Sequence, residues 1–290
     1  MPIVTLDIPN PPSSLTSPED EAAFAAVAAV ESPPLGPDSR PQPGVPRGTL
    51  TKSRHVGSIA FPGVARDWWL YVPAQYDATS PANLVVFQDA RFYLAEDFNA
   101  PAVFDNLIAR GEMPVTLGLF VEPGDLANEA PDTRGNRSFE YDSLTDAYSR
   151  LIHEELLPLV TSGHNISADP KHRASVGMSS GGICAFNLAW ERPDSFGRVV
   201  SHVGSFTDIR GGNAYISRVR KNGPKSIRVF LQGAVADLDN TSGSWTVANF
   251  DMAMALRFKG YDYRFEYGQG GHDRRHGAAI FPQTMRWLWR

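Results

Sequence analysis

Apolar residues along this chain recur with two periods that alternate from one segment to the next. Short continuous apolar runs predict buried strands, and longer runs with apolar positions three and four apart predict helices. The predicted strands are 55–61, 68–72, 83–87, 115–121, the first part of 173–190, 198–203, 226–232 and 263–267. Pro62-Gly63 lies near the turn between the first two. The predicted helices are 101–110, 143–160, the second part of 173–190, 244–259 and the segment that ends at residue 290. In the last of these we expect Pro282 to lie near the start of the helix, because proline disrupts a helix interior.

Strands of this kind alternating with helices predict an α/β domain, a mostly parallel sheet with helices on both faces. This domain covers residues 51–290. Residues 1–50 are rich in proline and contain one predicted short helix, with Ser17 as its N-cap and Val30 near its end. We interpret them as an arm that packs on the body or reaches a neighbouring subunit of a homo-oligomer; a disordered leader is the alternative.

The segment 173–190 holds the first candidate for chemistry, the sequence Gly177-Met178-Ser179-Ser180-Gly181 between a predicted strand and a predicted helix. A G-x-S-x-G sequence in this position is typical of a nucleophile elbow, a sharp turn that exposes a serine hydroxyl. The glycines are needed because the turn is tight. We therefore predict that Ser179 is a nucleophile and that the N–H of Ser180 faces the same side.

Two later strands end in loops that carry the partners of such a serine. Asp237 and Asp239 follow strand 226–232, and His272 follows strand 263–267. Because ligands bind beyond the carboxyl ends of parallel strands, these residues are expected near Ser179. A histidine takes the serine proton, and a carboxylate orients the histidine. We predict Asp237 as the acid, since Asp239 begins a run with turn chemistry, but both remain candidates.

The body resembles the enterochelin-esterase-like branch of the α/β-hydrolases, which also holds feruloyl and acetyl-xylan esterases. The resemblance covers roughly residues 55–290. Its stretches are DWWLYVPAQYD, VVFQDA, RSFEYD, GMSSGGICAFNLAWERPDSFGRV, RVFLQGAVADLDN and GGHDRRHGAAIFPQTMRWLW. It implies the α/β-hydrolase fold, a Ser179–His272–Asp triad, and an oxyanion hole formed by the Ser180 N–H and an N–H near Ala90 or Arg91. Relatives more often carry glycine where Ala90 stands.

Three further residues are candidates for contact with substrate. Arg91 follows strand 83–87, and Trp245 follows the acid loop closely. Arg137 is expected in a loop on the catalytic side of the sheet. There it forms an ion pair with Glu140, the reading we favour, or meets an anionic group of the substrate.

Composition excludes several other classes of function. The formal charge of −5 gives no sign of binding to nucleic acid or to anionic membranes. The single cysteine, Cys184, excludes an internal disulfide. No apolar run has the length of a membrane span, and no signal peptide is visible, so a cytoplasmic location is expected unless a leader has been removed. His272 and His276 lack a convincing third ligand, so we expect no metal and no cofactor.

These features predict a serine carboxylic-ester hydrolase that works through an acyl-enzyme, on aromatic or carbohydrate-linked esters. The substrate class rests on the resemblance. An acyltransferase on the same fold and a siderophore esterase of the enterochelin type are the alternatives. A binding module without activity is disfavoured by the intact Ser, His and Asp.

Overall fold

The computed structural model describes Ala22, residues 33–126 and residues 134–290 of the chain. Within these residues eight strands lie side by side in one sheet, in the order β1-β2-β4-β3-β6-β7-β8-β11, and β5 pairs with β2 at one side. The strands are β1 Thr49–His55, β2 Val64–Val72, β3 Asn83–Gln88, β4 Thr116–Val121, β5 Asp125–Leu126, β6 Arg173–Met178, β7 Arg198–His202, β8 Arg228–Ala236, β9 Asp239–Asn240, β10 Gly243–Ser244 and β11 Tyr263–Gly271.

The sheet is parallel from β4 to β11, because each pair of neighbours there runs in the same direction. At the other end β2 is antiparallel to both β1 and β4. A separate small hairpin joins β9 and β10. The predicted mostly parallel sheet is therefore present, with an antiparallel end.

Helices cover both faces of the sheet, as the alternation of strands and helices predicts. The described helices are α1 Ala90–Leu94, α2 Ala100–Ala109, α3 Arg134–Asp142, α4 Ala147–Arg150, α5 Leu157–Thr161, α6 Ser180–Glu191, α7 Ala214–Lys221, α8 Trp245–Phe258 and α9 Arg274–Trp289. Helices α1, α2 and α9 pack on one face in a core that contains Phe87, Phe104 and Phe281. Helices α4 to α8 pack on the other, around Phe186 and Leu231.

Three elements differ from the sequence-based prediction. The first strand is Thr49–His55, and the predicted strand 55–61 is wrong. The predicted helix 143–160 is interrupted by a π-helical segment, Leu151–Leu156, just before Pro158. Proline lacks an N–H and clashes with the carbonyl four residues earlier, so a widened turn accommodates it. Pro282 lies in the interior of α9 rather than near its start.

The residues that lead into β1 lie against the body. Asp38 accepts hydrogen bonds from Arg110 and Arg286, and the Asn106 side-chain amide donates to the carbonyls of Asp38 and Arg40. The predicted boundary at residue 50 falls inside β1. The helix predicted from Ser17 to Val30 lies outside the described residues except for Ala22, which is helical.

Candidate active site

Ser179 occupies a sharp turn between β6 and α6. Its backbone angles, φ 57° and ψ −122°, belong to a strained conformation that is rare outside glycine. The turn is close enough that a Cβ at Gly177 would overlap the carbonyl of Gly181. The strand, the turn and the helix thus have the geometry of a nucleophile elbow, with the Ser179 side chain at its tip.

A chain of short hydrogen bonds connects Ser179 to two later loops. The Ser179 Oγ lies 2.7 Å from Nε2 of His272, and Nδ1 of His272 lies 2.6 Å from Oδ1 of Asp237. The Asp237 side chain is fully buried, and the same oxygen also accepts a hydrogen bond from the N–H of Leu238. A buried carboxylate on Nδ1 holds the imidazole with Nε2 free to accept a proton from serine.

The two candidate acids have different surroundings. Strand β8 runs on to Ala236, so Asp237 follows the strand directly, beside His272. Asp239 is exposed and begins the small β9–β10 hairpin, where it pairs with Ser244. The structure therefore brings Asp237 to the histidine and leaves Asp239 in the turn.

Trp245 lies behind the histidine. Its ring packs edge-to-face on the ring of His272 at 5.5 Å between centroids, and its indole N–H donates to Oγ of Ser205. The Ser205 hydroxyl lies 3.2 Å from Oγ of Ser179. Because Trp245 is only 2% exposed, it forms the wall that holds His272 rather than an open pocket surface. Ser205 was not among the residues predicted from the sequence.

The two predicted oxyanion donors each stand at the first position of a helix. Ser180 begins α6 and Ala90 begins α1. The first N–H groups of a helix have no acceptor within that helix, and the helix dipole favours negative charge there. Both groups therefore suit an oxyanion. Arg91 comes next, but its N–H donates to Glu122 at 2.6 Å, which leaves Ala90 as the better of the two candidates.

An ion pair braces the loop that carries Ala90 against the elbow. Arg137 on α3 forms two hydrogen bonds to Asp89, at 2.6 and 2.7 Å, and also reaches the carbonyl of Met178. Asp89 has a left-handed backbone with φ 57°, and its carboxylate leaves no room for a side chain at Gly181. This arrangement fixes the start of α1 beside the start of α6.

The predicted ion pair between Arg137 and Glu140 is wrong, as is their placement in a loop. Glu140 pairs instead with Arg66 of β2, and both side chains are fully buried. Glu140 also accepts hydrogen bonds from Gly124 and Asn136. The side chains of Arg137 and Glu140 point in different directions, because α3 turns Arg137 toward the elbow and Glu140 toward β2. Arg66 stands at an inward-facing position of β2, a strand whose side chains alternate between buried and partly exposed. That position was the available sequence signal that Arg66 is buried.

We expect Arg137→Met to lower the free energy of unfolding by about 3–5 kcal/mol, since it leaves the carboxylate of Asp89 buried without its cation. Arg150→Met is the matched control. Arg150 pairs with Glu154, and because the two side chains are 42% and 53% exposed, its loss leaves no buried charge and should cost about 1 kcal/mol or less. Urea unfolding of both variants makes the comparison. Equal losses would contradict a bracing role for Arg137.

Asp142, at the end of α3, is a buried carboxyl group that sequence analysis missed. Neither of its oxygens has a hydrogen-bond partner among the described residues. The hydroxyls of Ser180 and Ser138 lie near it, and together with Arg137 and Arg210 they oppose the effect of burial only in part. Burial raises the pKa of Asp142 from 3.8 to about 6.

The raised pKa of Asp142 makes stability depend on pH in a defined direction. The folded protein favours the neutral form of Asp142. The stabilisation that results is complete below about pH 4 and is lost as the pH rises through about 6. Asp142→Asn removes this dependence. We therefore expect the unfolding free energy of the variant minus that of the parent protein to increase by about 2–3 kcal/mol between about pH 4 and about pH 8. Urea unfolding at both pH values measures the gain. A difference that does not change with pH would contradict it.

No group of three or more His, Cys, Asp or Glu side chains suited to a metal ion occurs among the described residues. Nδ1 of His276 lies 3.1 Å from the side-chain amide of Gln232, and burial lowers the pKa of His276. No helix in the described part of the chain is long and apolar enough to cross a membrane.

Comparison with known proteins gives the family of this fold and site. A family model described as "Putative esterase" matches residues 63–287, which is most of the chain. The chain belongs to this esterase family. The family resemblance predicted from the sequence is therefore confirmed. The iron(III) enterobactin esterase of Dickeya dadantii (strain 3937) is 25% identical to this chain over 235 residues. The match covers 76% of this chain and 51% of that relative, so the chain spans about half of the relative's length.

Solved structures of similar proteins confirm the predicted α/β-hydrolase fold. A ferulic acid esterase has a TM-score of 0.69 at 17% identity, with 84% of this chain and 99% of that chain covered. The enterobactin esterase of Shigella flexneri, solved in the presence of enterobactin, has a TM-score of 0.70 at 20% identity. That match covers 88% of this chain and 61% of the Shigella chain.

Proposed function

We propose that this protein is a serine carboxylic-ester hydrolase with Ser179 as nucleophile, His272 as general base and Asp237 as the orienting acid. The hydrogen-bonded chain from Ser179 through His272 to Asp237 carries the proposal. Membership of an esterase family supports the reaction class. The strained backbone of Ser179 adds support, because strain at an elbow keeps a nucleophile exposed.

In the acylation step, Nε2 of His272 accepts the proton of the Ser179 hydroxyl while Oγ attacks the ester carbonyl carbon. The negative oxygen that forms accepts hydrogen bonds from the N–H groups of Ser180 and Ala90. Asp237 stabilises the imidazolium. His272 then gives its proton to the leaving alkoxide oxygen, and the alcohol departs from an acyl-enzyme.

Water completes the reaction by the same route. His272 accepts a proton from the water, whose oxygen attacks the acyl carbonyl, and then returns that proton to Oγ of Ser179. The carboxylic acid leaves and the free serine is restored. These groups suffice for both steps.

For the substrate we favour an aromatic or carbohydrate-linked ester without strong negative charge. Three arginines around the site already face carboxylates, namely Arg91 with Glu122, Arg137 with Asp89 and Arg275 with Asp273. These three pairs offer a multiply anionic ligand no unpaired positive charge. The likeness to a ferulic acid esterase agrees with an aromatic acid.

A siderophore ester of the enterobactin type is the second candidate, because a 25% identical relative is an enterobactin esterase. The two classes are separable with a panel of purified substrates: a hydroxycinnamate methyl ester, an acetylated sugar, and enterobactin with and without iron(III). We expect kcat/KM for one of the first two to exceed that for enterobactin at least about tenfold. The reverse order would assign the second candidate, and no turnover of any ester would contradict the proposed activity.

A further inference from the structure

Helix α8 exposes a continuous apolar stripe. Val247, Phe250, Met254 and Phe258 recur three and four residues apart, which places them on one face of the helix. Their exposed fractions are 65%, 39%, 40% and 68%. Large apolar side chains scattered singly on a surface are ordinary, but an aligned exposed set is typical of an interaction surface.

The stripe continues onto the last strand of the sheet. The ring of Phe250 packs edge-to-face on those of Phe265 and Tyr267 in β11, at 5.0 and 4.7 Å between centroids. Tyr267 is itself 39% exposed. Helix α8 and the edge of β11 therefore form one apolar surface.

Among the residues that the structure describes, strand β11 is the last strand of the sheet, so half of its backbone groups point away from β8. The N–H of Val229 in β8 donates to the carbonyl of Asp262, and Val229 is in register with Tyr263. In a parallel pair with this bond, Arg264 and Glu266 direct their backbone groups toward β8. The backbone groups of the alternate residues, 263, 265 and 267, then point outward, where an edge strand is a template for pairing.

The sequence of this outward edge is complementary to itself. In an antiparallel pair centred on Phe265, Phe265 faces its own copy as a hydrogen-bonded pair, and Arg264 faces Glu266 of the copy. Arg264 and Glu266 then form non-hydrogen-bonded pairs, in which opposed side chains approach most closely. Both side chains are accessible for this, 46% and 36% exposed.

We propose that two copies of this chain form a dimer by antiparallel pairing of their β11 strands about a twofold axis at Phe265. The axis brings each Arg264 opposite a Glu266, and it joins the two sheets into one. Because opposed residues of an antiparallel pair lie on the same face, the two α8 helices also lie on the same face, on either side of the new seam. Their apolar stripes then cover each other.

A second copy fits this edge better than an unrelated partner does. A twofold contact requires a surface that complements itself, and the order Arg264, Phe265, Glu266 meets that requirement around its central residue. Within one chain Arg264 and Glu266 already pair with each other, so in the dimer each charge gains a partner across the axis. The proposal is independent of the proposed catalytic function.

Sedimentation velocity of the full chain, over a range of concentrations, tests the dimer through charge exchange. Arg264→Glu alone and Glu266→Arg alone each place like charges opposite each other, so we expect each to raise the dimer Kd about tenfold or more. The double variant Arg264→Glu/Glu266→Arg restores opposite charges and should recover most of the parent affinity. The Arg150→Glu and Arg150→Glu/Glu154→Arg variants, an exposed pair on another surface, are matched controls and should leave the Kd unchanged.

Residue-resolved hydrogen exchange gives a second readout that does not depend on substitution. The amides of Phe265 and Tyr267 should be protected at concentrations that favour the dimer and should exchange on dilution. The amides of Arg264 and Glu266, bonded to β8, should stay protected throughout. A monomer at about 100 µM would overturn the proposal. A dimer whose Kd is the same in the parent protein and in the charge variants, and whose Phe265 amide is not protected from hydrogen exchange, would also overturn it. That result would indicate another interface, such as one through the N-terminal arm.

Discussion

Replacing Ser179 with alanine is expected to lower kcat/KM for ester hydrolysis by about 10⁴-fold or more, with the fold intact. Without the hydroxyl no acyl-enzyme forms, and removal of a triad member typically costs this much. Only Oγ is lost, and its contacts are to His272 and Ser205. Stability should therefore change little. Steady-state kinetics with p-nitrophenyl acetate, together with a thermal melt, measure both quantities.

Ser180→Ala is the matched control for this variant. The neighbouring serine contributes its backbone N–H, which alanine also provides, so its activity should stay within about tenfold of the parent protein. A Ser179→Ala protein that retains more than about one hundredth of the parent kcat/KM would contradict the nucleophile assignment. Ser180→Ala also removes a hydroxyl near Asp142, and the melt reports any effect of that on stability.

Asp237→Asn should lower kcat by about 10⁴-fold, whereas Asp239→Asn should remain active. The carboxylate of Asp237 holds Nδ1 of His272 at 2.6 Å, and an amide there leaves the imidazole in the wrong tautomer. Asp239 is exposed in a hairpin, so its loss should cost only about 1 kcal/mol of stability. Single-turnover kinetics and urea unfolding of the two purified variants separate these effects.

The same pair of variants also contains the outcomes that would revise the site. If Asp239→Asn is inactive and Asp237→Asn is active, Asp239 is the acid of the triad. Two mildly affected variants would indicate a Ser179–His272 dyad. Because the substitution is the same in both, neither outcome is explained by a general effect of losing one negative charge.

The elbow and the two loops that carry Asp237 and His272 were predictable from the sequence because their signals are local. A tight strand-to-helix turn needs small residues around Ser179, and parallel strands deliver the loops that hold Asp237 and His272 to one edge of the sheet. The prediction therefore needed only the order of the elements and the glycines near their ends. The fold class followed from the same alternation.

The parts that were missed depend on residues distant in the sequence or on polar positions. Arg137 pairs with Asp89, 48 residues away, and no spacing rule connects them. The i, i+3 spacing of Arg137 and Glu140 suggested the wrong pair. Strand Thr49–His55 is an edge strand with mostly exposed side chains, so it shows no apolar pattern, while the apolar residues of 56–61 drew the prediction into the following turn.

Labelling of the purified protein with a fluorophosphonate, followed by intact-protein and peptide mass spectrometry, tests whether Ser179 is an activated nucleophile. Only an activated serine reacts rapidly with this reagent, because phosphonylation needs a general base and an oxyanion hole. We expect one adduct per chain, located on Ser179, with loss of esterase activity in proportion to labelling. We expect no adduct in Ser179→Ala and slow labelling of Asp237→Asn. An unlabelled parent protein that hydrolyses esters, or an adduct on another residue, would contradict it.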